Sequence, residues 1–234
     1  MLELSLVFIA SFLVAVILTP MVRSLAIRFD IVDRPDDRRK LHGRVIARAG
    51  GTAVLFAVLV VCAVASLRVD FTLVPVKNMI PYVALLVVMI GIWLLGLADD
   101  IWMLRGRQKL VGQIVLAAIL VSAGFNIQSL SLFGYSLKLG LLAFPISIVW
   151  LLATTNALNL IDGADGLCST LGAIICGALG ILASVNGHFA EAAIAFAFSG
   201  ALLGFLVFNF PPASIFLGDS GSLLIGMVTG ALAI

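Results

Sequence analysis

Residues 79 to 100 read MIPYVALLVVMIGIWLLGLADD, twenty residues without a charge followed by two adjacent aspartates. A helix rises about 1.5 Å per residue and the hydrocarbon core of a bilayer is about 30 Å thick, so a run of this length predicts a membrane span. Asp99 and Asp100 then fall at a membrane face. Working outward, uncharged runs recur at 4–22, 49–67, 110–125, 139–155, 167–185, 192–208 and 222–234. The expected fold is therefore all-α: a polytopic integral membrane bundle of about eight transmembrane helices, forming a single domain over 1–234.

Composition agrees. Of 234 residues, 62% are hydrophobic and 11% charged, against about 45–50% and about 25% in a soluble domain. The mean hydropathy is +1.23. So little charge cannot cover a water-soluble surface, which excludes a soluble enzyme, a disordered chain and a disulfide-stapled module. Cys62, Cys168 and Cys176 lie in or beside apolar runs without C-x-x-C spacing and read as small buried hydrophobes. The N-terminus lacks a basic region and a small-residue cleavage site, so the first helix is expected to be retained.

Charge placement sets the orientation. With the N-terminus outside, eleven of the fourteen basic residues fall in inner loops and only Arg68, Lys77 and Lys138 outside. That bias satisfies the positive-inside rule and predicts a multi-pass protein of the inner (plasma) membrane. Nine of the twelve acids are also inside: Asp30, Asp33, Asp36, Asp37, Asp99, Asp100, Asp162, Asp165 and Asp219. Orientation does not require them there, which suggests a site. On the outer side, residues 128–139 alternate apolar and polar about Phe-Gly-Tyr, predicting a short hairpin.

Three inner segments carry the chemistry. Adjacent Asp99 and Asp100 repel each other and oppose the dipole of the helix they end, so a cation or a raised pKa is expected. In Asn156-Ala-Leu-Asn159-Leu-Ile-Asp162-Gly-Ala-Asp165-Gly, the asparagines share a helix face and the aspartates flank a glycine turn. In Gly218-Asp219-Ser220-Gly221, Asp219 or Ser220 could cap the last helix, and the exposed amides there could hold a phosphate oxygen. The last two segments hold three aspartates and no Lys or Arg. A polyanionic substrate would need a divalent cation there, and Mg²⁺ binds through one or two carboxylates plus waters and phosphates. Arg105, Arg107 and Lys109 would complete an anion site, while Arg23, Arg28 and Arg44 read as orientation anchors. No Walker A loop, G-x-G-x-x-G, H-E-x-x-H or G-x-S-x-G is present.

The ordered set Asp99-Asp100, Asn156-x-x-Asn159-x-x-Asp162-Gly-x-Asp165-Gly-Leu and Phe216-Leu-Gly-Asp219-Ser-Gly-Ser resembles the polyprenyl-phosphate N-acetylhexosamine-1-phosphate transferases. The inner loop Asp33-Arg-Pro-Asp-Asp-Arg-Arg-Lys40-Leu-His42, followed by Arg48-x-Gly50-Gly51, looks like the branch that transfers GlcNAc-1-phosphate to undecaprenyl phosphate, more than the branch using UDP-MurNAc-pentapeptide. Where that branch usually has a proline before the arginine, this chain has Ala47. The resemblance implies that Asp219 and Asn159 hold Mg²⁺, with Mn²⁺ as a substitute ion, that Asp165 contacts uracil, and that Asp99 and Asp100 lie at the lipid phosphate with one a candidate base. It places Lys109 facing phosphates, Asp162 and Asn156 as supports (Asp162 among the catalytic carboxylates, Asn156 with the substrate-binding groups), and Lys40 and His42 in a first-loop basic motif that binds substrate. The family pattern continues into a histidine-bearing loop beyond residue 234, so the chain is expected to be incomplete at its C-terminus.

The implied partners are a UDP-N-acetylhexosamine, undecaprenyl phosphate and the lipid bilayer, with room for a homodimer and no role for nucleic acid. The implied reaction is attack of the lipid phosphate on the β-phosphorus of the UDP-sugar with loss of UMP, on the cytoplasmic side. The rival is a cation or sugar-nucleotide transporter, since buried carboxylates can line ion paths. No aspartate lies mid-span, which leaves a transporter without a polar trail.

Overall fold

The computed structural model describes residues 2–34, 45–67, 76–132 and 135–234, with backbone alone at 76–78 and 131–132. Lys40 and His42 lie outside the described residues. In chain order the elements are α1 (Leu2–Arg28), β1 (Val32–Asp33), β2 (Ile46–Arg48), α2 (Gly50–Ser66), α3 (Val76–Trp102), α4 (Gly106–Ser122), β3 (Ser129–Leu132), β4 (Tyr135–Lys138), α5 (Ala143–Ile161), α6 (Leu167–Val185), α7 (Phe189–Asn209), β5 (Ile215–Phe216) and α8 (Asp219–Leu232). Each uncharged run of the sequence has become a helix.

Helix ends depart from the runs where polar residues matter. Helix α3 continues past the apolar run to Trp102, so Asp99 and Asp100 belong to its last turn. Helix α5 continues to Ile161 and carries Asn156 and Asn159, with Asp162 at its C-cap. Helix α7 stops at Asn209, just before Pro211 and Pro212, which cannot continue it. Five helical segments are long and apolar enough to cross a membrane. Helices α2 and α4 have 17 residues each and α8 has 14.

Helix α8 is the hub. It packs on α3 and α5 and also touches α2 and α6, while α7 packs on α1, α6 and α2. Every residue from Ser220 to Ala231 is buried, as expected for a helix apolar on all sides. Phe198 and Phe205 of α7 and Leu223 and Leu224 of α8 are fully enclosed. The outer surface is the reverse of a soluble protein's: Leu6, Ile9, Leu13 and Ile17 lie exposed along α1. A contiguous apolar face of this kind suits lipid, not water.

The two ends of the bundle differ. At one end β2 pairs antiparallel with β1 and parallel with β5, Arg48 lying in register with Phe216. This small sheet ties the segment before α2 to the one before α8, and it was not expected from the sequence. At the other end β3 and β4 form the expected hairpin, with Leu130 opposite Leu137 and Ser131 opposite Ser136. The three cysteines are free, Cys168 and Cys176 buried and Cys62 half-buried.

Candidate active site

Four helix ends meet at the sheet-bearing end. Lys109 stands in the first turn of α4, and its ammonium lies 2.8 Å from Asp99 Oδ2 and 2.7 Å from Asp219 Oδ2. The same Nζ donates to Asn159 Oδ1 at 3.2 Å. Asn159 in turn donates through Nδ2 to Asp219 Oδ1 at 2.8 Å and to Ser222 Oγ at 2.9 Å. Its amide therefore has one end on the cation and the other on the carboxylate. Asp99 Oδ1 accepts from the Leu104 amide at 2.8 Å, which holds the turn from α3 into α4.

Asp100 is adjacent in sequence and differently employed. Its side chain has no exposed surface and lies 3.0 Å from Arg48 Nε. Its Oδ1 accepts from the Asp219 amide at 2.9 Å and its Oδ2 from the Ser220 amide at 3.0 Å. The first amides of a helix have no partner within it and carry the positive end of its dipole, so a buried carboxylate from α3 is a favourable cap for α8. This corrects the expectation that Asp219 or Ser220 caps that helix: the N-cap residue is Gly218, with no side-chain cap bond, and the acceptor comes from another helix. Gly218 has φ +75°, and a Cβ there would lie 2.7 Å from Asp100 Oδ2. One turn before Asp100, Gly96 sits against the backbone of Asp219 and Ser220, where a side chain would collide.

Asp162 is half-buried at the end of α5. Burial pushes its carboxyl up to about 8, the Asp219 and Asp100 carboxylates push the same way, and Arg48 opposes them. The protonated form of Asp162 is thereby favoured well above the ordinary carboxylate range, and that form can donate a hydrogen bond.

The remaining expected residues spread around this centre. Asn156, one turn before Asn159, pairs with Gln113 instead, Nδ2 donating to Oε1 at 2.7 Å, and Gln113 is fully buried. Asp165 Oδ2 accepts from the Ala213 amide at 2.9 Å, joining the turn after α5 to the segment after α7. Arg105 and Arg107 are exposed at the start of α4, so of the three basic residues there only Lys109 reaches the cluster. Sequence reasoning gave no role to Arg48, Gln113 or Asn209. Buried Asn209 accepts from Ser169 Oγ at 2.8 Å and donates to the Ile215 carbonyl at 3.0 Å, holding β5 beneath the site. The signal for it was available: a lone Asn ending an apolar run and preceding Pro-Pro.

Asp219 and Asn159 are the residues here that could hold a small hard cation. Oxygens of Asp99, Asp219 and Asn159 already converge on one positive head. Among the described residues no three acidic, histidine or cysteine side chains form a metal cluster. What the chain offers is a carboxylate and an amide oxygen, Asp219 and Asn159, which suits an ion that keeps waters and phosphate oxygens as its other ligands.

The fold and the site together define a polytopic helical membrane protein with carboxylates, an amide and a lysine gathered at one end of the bundle. The sequence matches the family described as Glycosyl transferase family 4 over residues 82–234, and the chain belongs to that family. It is 31% identical over 236 residues to a protein named probable undecaprenyl-phosphate N-acetylglucosaminyl 1-phosphate transferase of Bacillus subtilis, covering 100% of this chain and 63% of the relative. It is 37% identical over 252 residues to a phospho-N-acetylmuramoyl-pentapeptide-transferase of Halalkalibacterium halodurans, covering 99% and 74%. A decaprenyl-phosphate N-acetylglucosaminephosphotransferase of Mycolicibacterium smegmatis is 34% identical over 250 residues, covering 98% and 59%. The chain thus spans between 59% and 74% of the length of these relatives. Relatives named for either sugar match it along its whole length.

Proposed function

We propose that this chain is the catalytic membrane core of a transferase that moves GlcNAc-1-phosphate, or a closely related N-acetylhexosamine-1-phosphate, from its UDP-sugar to undecaprenyl phosphate at the cytoplasmic face of the plasma membrane. The observation that carries the reading is the convergence of Asp99, Asp219 and Asn159, from three helices, on the Lys109 ammonium at the end of an apolar bundle. A membrane-borne phosphate and a nucleotide pyrophosphate can meet only where both lipid and water are within reach. The relatives' names supply the substrate class.

In the reaction, an oxygen of the lipid phosphate bonds to the β-phosphorus of the UDP-sugar, the bond from that phosphorus to the bridging oxygen breaks, and UMP leaves with that oxygen. The product is a lipid-linked sugar pyrophosphate. Two anions must approach, so offsetting charge is the main demand on the protein. Bound Mg²⁺, for which Mn²⁺ can substitute, would neutralise pyrophosphate charge, and Asp219 and Asn159 are the residues that would hold it. Lys109 holds Asp219 and Asn159 in register and offers positive charge to phosphate oxygens. Asp99 faces that centre, whereas both oxygens of Asp100 are engaged by α8. Both oxygens of Asp99 are engaged too, Oδ1 by the Leu104 amide and Oδ2 by Lys109, so position is what separates the pair: Asp99 is the one in contact with the lysine that would meet a lipid phosphate. The phosphate is largely dianionic at neutral pH and attacks without a covalent enzyme intermediate.

The test incubates the full-length protein with undecaprenyl phosphate, Mg²⁺ and a panel of UDP-sugars and follows UMP. Release with UDP-GlcNAc that needs both lipid and metal supports the reading. Cation or sugar-nucleotide flux in proteoliposomes without UMP release overturns it.

A further inference from the structure

Arg48 belongs to no helix and approaches the site from β2, yet it is the cation nearest to Asp100. Its Nε lies 3.0 Å from Asp100 Oδ1 and its Nη2 3.6 Å from Asp219 Oδ1. One guanidinium therefore spans two carboxylates carried by different helices. The strand under it runs parallel to β5, with Arg48 opposite Phe216, two residues before Gly218. The arm that brings the arginine is thus fastened to the segment whose end it steadies.

We infer that Arg48 is a positioning residue: with Asp100 it forms a strut that fixes the start of α8 and so sets where Asp219 presents its carboxylate to Lys109 and Asn159. The inference rests on the proposed function, because it gives Asp219 its orientation toward a divalent cation. Three observations support it. Both oxygens of Asp100 accept from the first amides of α8, pinning the helix that begins with Asp219 to the helix that ends with Asp99 and Asp100. The missing side chain at Gly218 leaves the space that Asp100 fills, so the contact is tight. Without Arg48, a carboxylate with no exposed surface would lose its ion partner and stand beside the like charge of Asp219. Both effects favour displacement of α8. A planar fork reaches two acceptors at fixed separation, and a lysine ammonium does not, so lysine is not equivalent at this position.

The experiment uses the full-length protein in nanodiscs, with Arg48→Lys, Arg48→Gln, Asp100→Asn and the Arg48→Gln/Asp100→Asn double variant. Mn²⁺ alone is titrated and the free ion read by electron paramagnetic resonance. UMP release is followed against Mg²⁺ and UDP-GlcNAc separately, and each variant's melting temperature is recorded. Loss of a group that orients a metal ligand typically costs about tenfold or more in metal affinity. Arg48→Gln is therefore expected to raise half-saturating Mn²⁺ and Mg²⁺ by about tenfold, with a smaller change in KM for the UDP-sugar, and Arg48→Lys to fall between it and the wild type. The double variant is expected to cost no more than the worse single one. If Arg48→Gln lowers the melting temperature and the active fraction but keeps the wild-type half-saturation, or if the losses in the double variant multiply, the strut is refuted and the transferase reading stands. Wild-type protein that releases UMP but neither binds Mn²⁺ nor needs Mg²⁺ refutes the metal reading, and the strut with it.

Discussion

The two ends of this bundle, outer at the hairpin and inner at the small sheet on the proposed orientation, are built by different means. At the outer end polar contacts are few and mostly close loops: β3 and β4 are neighbours in sequence, Leu139 N donates to the Gln128 carbonyl and Ile127 N to Ser147 Oγ, and the longer ties toward that end are Trp150 Nε1 donating to the Gly230 carbonyl at 3.0 Å and Tyr82 donating to Glu191 at 2.9 Å. At the inner end local contacts such as the Leu104 amide on Asp99 are joined by many that link distant elements: Lys109 to Asp219, Asp219 N to Asp100, Asp165 to Ala213 and Arg48 to Asp100. The outer end needs only to close loops between helices. The inner end holds several carboxylates within a few ångströms of one another, at a cost in repulsion that a merely structural region would avoid. The contrast separates loop from site without reference to any relative.

The largest effect should come from Asp219. In the full-length protein, Asp219→Asn removes the carboxylate that Lys109, Asn159 and Arg48 share, and UMP release should fall about a hundredfold or more, the scale of losing one charge-organising group. Glu191→Gln at the outer end should change turnover by no more than about twofold, since surface changes away from such features cost little. Full turnover in Asp219→Asn would sink the metal role. Equal losses in both variants would erase the distinction between the ends.

Next in size are two glycines with positive φ. Gly218, at +75°, has Asp100 Oδ2 2.7 Å from where a Cβ would lie, whereas Gly140 at the outer end, at +52°, has nothing within 4 Å. Gly140→Ala should pay only for the left-handed backbone, about 1–2 kcal/mol. Gly218→Ala should add the loss of the α8 cap, for a total of about 2–4 kcal/mol. Denaturation in detergent measures both, and a Gly218→Ala cost no greater than that of Gly140→Ala would refute the tight seating of Asp100.

Much of this was legible in one dimension. The eight helices followed from the lengths of uncharged runs, five of them long enough to span, and the outer hairpin from alternation about a Phe-Gly-Tyr turn. Asp99, Asn159 and Asp219 stood out because carboxamides and carboxylates are rare in so apolar a chain. The roles of Asp99 and Asp100 were not legible. Consecutive residues on a helix point about 100° apart, so neighbours that read as one acidic pair face different surroundings. The sheet was also hidden, because strands of two and three residues carry no period and the β2 to β5 pairing spans most of the chain. With it went the role of Arg48, which the sequence shows only as part of a motif and which depends on that pairing. Gln113 gave no signal because one amide in α4 gains meaning only opposite Asn156.

The third comparison is in pH. Asp162 has its carboxyl raised to about 8, chiefly by burial and then by Asp219 and Asp100. An unfolded Asp titrates near 4, so between about 4 and 8 the folded state binds the extra proton. The contribution of Asp162 is therefore fully present below about 4 and is lost as pH rises through 8. Wild-type stability should carry this decline, and Asp162→Asn, which cannot ionise, should flatten it. Melting curves from pH 5 to 9 check the point, and an unchanged slope in the variant would refute the raised carboxyl of Asp162.

The smallest expected effect is at Tyr82. Its hydroxyl donates to Glu191 Oε1, but the tyrosine is 37% exposed and water competes for both groups. A hydrogen bond to a half-buried carboxylate that water still reaches largely exchanges one solvated arrangement for another, so Tyr82→Phe should cost about 1 kcal/mol of stability or less and leave UMP release unchanged. The same substitution tests whether the ends are independent. Helix α3 runs from this outer contact to Asp99 and Asp100, so a rigid helix could transmit a disturbance along its length. If Tyr82→Phe altered the Mg²⁺ requirement of the reaction, the outer tie would have to be read as part of the mechanism that sets α3, and the division between a loop end and a site end would fail.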